Sequence, residues 1–169
     1  MSAAPTPEFL KLLNEYQPLL RRAARLYCPD ADDRQDLYQE IVLQLWRAWP
    51  RYAARADIKV STWLYRVALN VAISDLRRRT RMPDPAYFGA ATLPDLPTPT
   101  PDGPDADDLA QLYRAIERLS QVEKAFVLLY LEERTYEEMA DILGITQNNV
   151  RVKMHRVQDK LRQLLPLVA

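Results

Sequence analysis

Phe9, Leu13, Tyr16, Leu20, Ala23 and Tyr27 recur at alternating steps of four and three along the start of the chain. That spacing returns to the same side of an α-helix and predicts one apolar seam. Thr6-Pro7 supplies an N-cap and a proline at the first helical position, and Cys28-Pro29 marks the end. A second helix is expected from Asp32 or Asp33 to about Trp49, stopped by Pro50, which lacks the N–H a helix interior needs. It carries two apolar stripes, Leu37-Ile41-Leu45-Ala48 and Tyr38-Val42-Trp46-Trp49, with Leu43 apart from both. A small bundle readily hides one stripe; the second is either buried in the bundle or offered to a partner. A third helix, Ser61 to about Arg81, places Leu64, Ala68 and Val71 on one side with Leu69, Ala72 and Leu76 adjacent.

The C-terminal part repeats the helical period with sharper boundaries. Leu109, Leu112, Tyr113, Ile116 and Leu119 form one helix. Ser120-Gln121-Val122-Glu123 and Thr135-Tyr136-Glu137-Glu138 then match the capping box, in which hydroxyl and carboxylate satisfy each other's orphan N–H groups. Leu143-Gly144-Ile145 reads as a turn and Thr146 as the cap of a final helix. Helix, glycine turn, then a helix opening on Gln147-Asn148-Asn149 is the helix-turn-helix layout. No alternating strand pattern occurs, so the expected fold is all-α: a three-to-four-helix bundle and a four-helix module.

Between them the composition changes. Pro83, Pro85, Pro94, Pro97, Pro99, Pro101 and Pro104 stand among Asp, Thr and Gly, a density that argues for an extended tether. The expected domains are residues 6–81 and 106–166, joined by an acidic, proline-rich linker at 82–105. Charge follows the same division. The chain has 23 basic and 23 acidic residues, but Met1 to Arg81 has 14 against 9, Met82 to Asp108 none against 6, and Thr146 to Ala169 five against one. Two basic zones around an acidic spacer suggest two separate contacts with a polyanion.

Candidate chemistry narrows the choice further. One cysteine, Cys28, excludes an internal disulfide and a cysteine-rich zinc site, and one histidine, His155, excludes two-histidine metal motifs. Gly89, Gly103 and Gly144 are too scattered to form a phosphate loop. Neither a catalytic cluster nor a cofactor is expected. The hydrophobic share of 48% argues against wholesale disorder. The longest apolar run, Ala125 to Leu131, falls far short of the roughly 20 residues of a membrane span, which predicts a soluble, cytoplasmic protein.

Two polar faces remain. On the last helix Val150, Met154, Val157, Leu161 and Leu164 face the core. Asn148, Val152 and His155 lie opposite, flanked by Asn149, Arg151 and Arg156. Amides pair with adenine, guanidinium with guanine, and an outward Val152 suits a thymine methyl in the major groove. Arg151, Lys153 and Arg156 suit phosphates or base edges. An ordinary solvated basic face would look the same. On the third helix Trp63, Arg66, Asn70, Ser74, Arg77 and Arg81 share a stripe suited to stacking on unpaired bases and gripping a strand. The alternative is a core Trp63 with arginines complementing the helix dipole.

Asp36-Leu37-Tyr38-Gln39-Glu40, Leu45-Trp46-Arg47-Ala48 and Thr62-Trp63-Leu64-Tyr65-Arg66-Val67-Ala68-Leu69-Asn70 resemble region 2 of extracytoplasmic-function (group IV) sigma factors. Tyr136-Glu137-Glu138-Met139-Ala140, Leu143-Gly144-Ile145, Asn149-Val150 and His155-Arg156 are similar to their region 4. The resemblance covers nearly the whole chain in order. It implies a bacterial factor that binds core RNA polymerase, at the beta-prime clamp coiled coil and the beta flap, and directs it to promoter DNA. Asp36, Gln39, Glu40 and Leu43 match the helix that docks on the clamp. Trp63, Arg66, Asn70 and Arg77 match the face that opens and holds the −10 element. Asn148, Asn149, Arg151, Val152 and Arg156 match the helix in the −35 major groove. The apolar partner surfaces also suit an anti-sigma factor.

The sequence departs from the family pattern in two places. Arg51 to Ser61 lacks the usual aromatic-Arg-Gly-acid stretch and is about two residues longer. That loop forms the family's pocket for the flipped base. Leu119-Ser120 stands where Leu-Pro is more common, and serine serves equally as a cap. A helix-turn-helix regulator acting without polymerase is the alternative function. The tether, the strand-gripping stripe and the doubly apolar second helix weigh against it.

Overall fold

The computed structural model describes residues 4–55, 57–81 and 105–165, with side chains at 4–54, 57–75 and 107–165. The described residues form seven helices: α1 Pro7–Tyr27, α2 Ala31–Arg55, α3 Val60–Arg81, α4 Asp105–Glu117, α5 Gln121–Leu131, α6 Tyr136–Leu143 and α7 Gln147–Leu164. The proline-rich tether lies outside the described residues.

Local chemistry sets most boundaries. Thr6 Oγ1 accepts the Phe9 N–H at 3.3 Å, with Pro7 opening α1. Asp30 Oδ1 accepts the Asp32 and Asp33 N–H groups at 2.9 and 3.1 Å, so α2 begins slightly earlier than the sequence suggests. Both capping boxes form reciprocally, at Ser120–Glu123 and Thr135–Glu138. Gly144 closes α6 at φ 68°, ψ 34°, a left-handed conformation that needs no Cβ.

Pro50 does not stop α2. The helix continues to Arg55 because aromatic packing holds the turn beyond the proline. Trp49 and Tyr52 lie 5.9 Å apart, Tyr52 stacks on Trp63 at 4.5 Å and 14°, and the Tyr52 hydroxyl donates to the Ile58 carbonyl at 2.7 Å. Such contacts offset the hydrogen bond that proline removes.

The first three helices form a bundle around Phe9, Leu20, Leu37, Ile41, Leu45, Leu64 and Ala68. In the second module α7 packs on α4, α5 and α6, burying Val150, Met154 and Val157 against a core that includes Phe126, Leu128 and Met139. The two modules also touch each other. α1 packs against α4 and α5, and α3 against α5 and α6. α1, which packs on helices of both modules, buries Leu12, Leu19, Ala24 and Leu26 beyond the single seam read from its period. The second stripe of α2 is only half-buried: Tyr38, Val42, Trp46 and Trp49 are each partly exposed, with Trp49 5.7 Å from Phe9 and Arg21 over the Tyr38 ring at 4.9 Å.

Candidate nucleic-acid and polymerase interface

The final helix presents its polar face as the period predicts. Thr146 Oγ1 accepts the Asn149 N–H at 3.2 Å, which fixes the helix entry directly after the Gly144 turn. Asn148, Asn149, Arg151, Val152, Lys153, His155 and Arg156 are all exposed. Val152 is 44% exposed while Val150, two residues earlier, is fully buried. Val152 thus offers a small apolar surface at the centre of a basic, amide-bearing face. Its neighbours and its place after the helix-turn-helix turn suit the major groove.

The stripe on α3 is divided. Asn70 and Ser74 are exposed and Arg66 is half-buried, but Trp63 is only 9% exposed, wedged among Tyr52 and Trp49. Arg77 lies on the last turns of α3, with its side chain outside the described residues, as are those of Arg78, Arg79 and Arg81. Residue spacing alone puts Trp63 and Arg66 on one face; the partner Tyr52, supplied by the extension of α2 past Pro50, decides which side of Trp63 is covered.

On α2, Asp36 and Gln39 are exposed, and Glu40 and Leu43 are half-buried. Glu40 accepts a hydrogen bond from the Gln44 side chain at 2.8 Å. Beside them runs a groove of about 470 Å³ between α2 and α3, lined by Glu40, Gln44, Ala48, Val67, Asn70, Val71, Ser74 and Asp75. The acidic α2 face and the amide-bearing α3 face are thus two rims of one groove. Sequence spacing treats each helix separately and leaves this juxtaposition invisible.

A polar cluster between the modules also escapes the sequence. Arg22 forms a two-pronged ion pair with Glu132, its Nη2 donating to Oε2 at 3.0 Å. The Tyr65 hydroxyl donates to the same carboxylate at 3.4 Å, and Arg134 lies over the Tyr65 ring at 6.0 Å. Burial, then the neighbouring Glu132 charge, raises the Tyr65 phenol above its ordinary pKa. Elsewhere, the Tyr27 hydroxyl donates to the Gln121 carbonyl at 2.7 Å, and Arg25 stacks over Tyr113 at 4.6 Å. Arg66 Nε donates to the Asp141 carbonyl at 3.0 Å. These partners lie tens of residues apart, so no local pattern foretells them.

Comparison with known proteins identifies the two helical modules as those of a sigma-70 type transcription factor. Residues 12–82 match the Sigma-70 region 2 family and residues 109–161 the Sigma-70, region 4 family. The chain is 30% identical to the RNA polymerase sigma factor CarQ of Myxococcus xanthus over 135 residues, covering 78% of this chain and 74% of CarQ. It belongs to the extracytoplasmic-function (ECF) group of sigma-70 family sigma factors, which are non-enzymatic transcription initiation factors that bind DNA. It is also 27% identical to the RNA polymerase sigma-H factor of Pseudomonas aeruginosa, over 93% of this chain and 86% of that one. With the ECF factor SigG of Mycobacterium tuberculosis it shares 26%, spanning 43% of that longer protein.

Among solved structures, the sigma factor RpoE in complex with the anti-sigma factor NepR from Bartonella quintana has the same fold. Its TM-score is 0.74 at 20% identity, over 97% of this chain and all of that one. CnrH in complex with the cytosolic domain of CnrY gives 0.66 at 20% identity, over 95% and 89%. No helix among the described residues is long and apolar enough to cross a membrane.

Proposed function

We propose that this ECF factor works through three surfaces on two domains, region 2 over residues 6–81 and region 4 over residues 106–166. Asp36, Gln39, Glu40 and Leu43 on α2 dock on the beta-prime clamp coiled coil of core RNA polymerase. The region 4 module meets the beta flap, and the exposed Tyr130 and Leu131 at the end of α5 provide apolar surface for that contact. Arg66, Asn70 and Arg77 on α3 grip the −10 strand, with Trp63 buttressing the surface from within the Trp49–Tyr52 aromatic cluster. Asn148, Asn149, Arg151, Val152 and Arg156 on α7 bind the −35 element in the major groove, Arg156 through the phosphate backbone.

The observation that carries this reading is the exposed α7 face, where an uncovered Val152 stands amid amides and guanidiniums directly after a capped glycine turn. Strand opening at the −10 element needs no nucleotide hydrolysis, because capture of an unstacked base offsets an unstacking cost of a few kcal/mol. The two structural relatives are bound to an anti-sigma factor, NepR, and to the cytosolic domain of CnrY. By analogy an anti-sigma protein restrains this chain in the bacterial cytoplasm.

Run-off transcription with purified core polymerase on a genomic fragment library tests the reading. Specific transcripts are expected from core plus this protein and from neither alone. Tight, specific duplex binding without polymerase, and no transcripts with it, would favour an independent regulator instead.

A further inference from the structure

With Trp63 packed away, the α3 stripe keeps only polar groups for the −10 strand. Arg66, Asn70 and Ser74 suit phosphates and base edges, but none offers an apolar edge to push between stacked bases. Proteins that unstack a duplex commonly drive an apolar side chain between base steps, isoleucine among them. Among the described residues of α1 to α3 and their connections, Leu10 and Ile58 are the large apolar side chains left exposed. Leu10 belongs to α1. Ile58 stands two residues before α3, the helix that carries the stripe, between the exposed Asp57 and Lys59.

An exposed side chain on a loose turn makes a poor wedge, because ordering it at the moment of contact costs conformational entropy. Here the turn is tied beforehand at successive carbonyls. The Tyr52 hydroxyl donates to the Ile58 carbonyl at 2.7 Å, and the Trp63 N–H donates to the Lys59 carbonyl at 3.1 Å. Both donors belong to the stacked pair itself, with ring centroids 4.5 Å apart and 14° between the planes. Trp49 braces the pair, its ring 5.9 Å from each of the others. Burial, then the Asp57 charge, raises the Tyr52 phenol above its ordinary pKa, so the hydroxyl stays a donor. The aromatic cluster that carries α2 past Pro50 therefore ends in a clamp on the turn.

We infer that Ile58 is the wedge that starts strand separation at the −10 element, and that Tyr52 is a positioning residue, holding the wedge in place through the Ile58 carbonyl. Lys59, exposed beside it, meets a phosphate of the parted step. Trp63 contributes from behind, as the other half of the clamp rather than as a stacking platform. The inference rests on α3 meeting the −10 strand through Arg66 and Asn70.

The test uses holoenzyme reconstituted from core polymerase and the full chain, on a promoter recovered from the fragment library. The rate at which −10 thymines become reactive to permanganate reads opening. It is measured on the duplex promoter and on one mismatched across the −10 element, where no wedge is needed. Ile58→Ser, a change at an exposed side chain, should slow opening of the duplex about tenfold. Tyr52→Phe keeps the ring stack and loses only the hydroxyl; it should slow opening roughly three- to tenfold, the factor for one hydrogen bond. Both defects should vanish on the mismatched promoter, and neither variant should weaken the polymerase pull-down. The double variant should be no slower than Ile58→Ser alone, because Tyr52 acts through that side chain. Parental opening by Ile58→Ser would remove the wedge. Parental opening by Tyr52→Phe beside a slow Ile58→Ser would remove the part given to Tyr52. A defect that persists on the mismatched promoter would overturn the proposal, since it would lie in the fold or in holding the strand rather than in parting it. Failure of the −10 assignment reads differently: Asn70→Ala, on the stripe itself, would then leave duplex opening undiminished as well.

Discussion

Trp63 and Arg66 lie three residues apart on α3, yet one is a packing residue and the other a polar arm at a module boundary. The difference comes from Tyr52, which stacks on Trp63 and leaves it little face to offer a base. Asn70, exposed and one turn further on, is the cleaner probe of strand contact. In reconstituted holoenzyme, Asn70→Ala should reduce permanganate reactivity of promoter thymines while leaving polymerase binding unchanged in a pull-down; undiminished reactivity would refute its role. On α7, Arg151→Ala should cost about 1–3 kcal/mol of affinity at one base position and relax specificity there. Competition with single-base variants of the promoter measures this, and a uniform loss across sequences would make Arg151 a phosphate contact.

At the scale of elements, the caps and turns carry the predictions. In the Thr135 box, the Thr135 backbone N–H donates to Glu138 Oε2 at 2.8 Å, and this bond holds the Glu138 carboxyl below its ordinary pKa despite some burial. At Glu123, burial pushes the other way, but the Ser120 amide and the Lys160 ammonium prevail and again lower the pKa. A carboxyl lowered in the folded state adds stability that is present above its unfolded pKa of about 4.3 and is lost as pH falls through the folded value. Thermal melts should therefore weaken on acidification below that point, and Glu138→Gln should flatten the acid limb; an unaltered limb would dismiss the box as a pH-dependent term. Between α5 and α6, Glu133 adopts φ 57° without being glycine, flanked by Glu132 and Arg134 of the inter-module polar cluster. Glu133→Gly should raise stability by up to about 1 kcal/mol in urea melts, since L-residues in the left-handed region are strained by about 1–2 kcal/mol.

For the whole molecule, the uneven charge is the relevant property. A net charge of zero hides basic zones at the α3 end and along α7, and both match the faces assigned to DNA. Promoter binding by the holoenzyme should weaken with salt, the logarithmic slope changing by about 0.9 for each phosphate neutralised. Arg156→Gln should weaken all promoters alike and reduce that slope by about one, as a phosphate contact would. A slope identical to the parent's would place Arg156 away from the backbone.

Much of this was legible locally. Helix periods, both capping boxes and the Gly144 turn are written in residues three or four apart, because the forces that set them act within one turn of backbone. The buried side of α7 and the exposure of Val152 followed from the same period. Pro50 misled because its cost is local while the compensation comes from Trp49, Tyr52 and Trp63, which meet only after folding. The second buried side of α1 was missed for a related reason: the helix is covered by four others, drawn from both modules. Spacing could not reveal that Arg22 meets Glu132 across 110 residues, or that Arg66 meets Asp141 across 75. Periodicity fixes which side of a helix is apolar; only three-dimensional packing decides which helix, from which module, covers it, because the free energy of that contact depends on shape and desolvation across the chain rather than on neighbours along it.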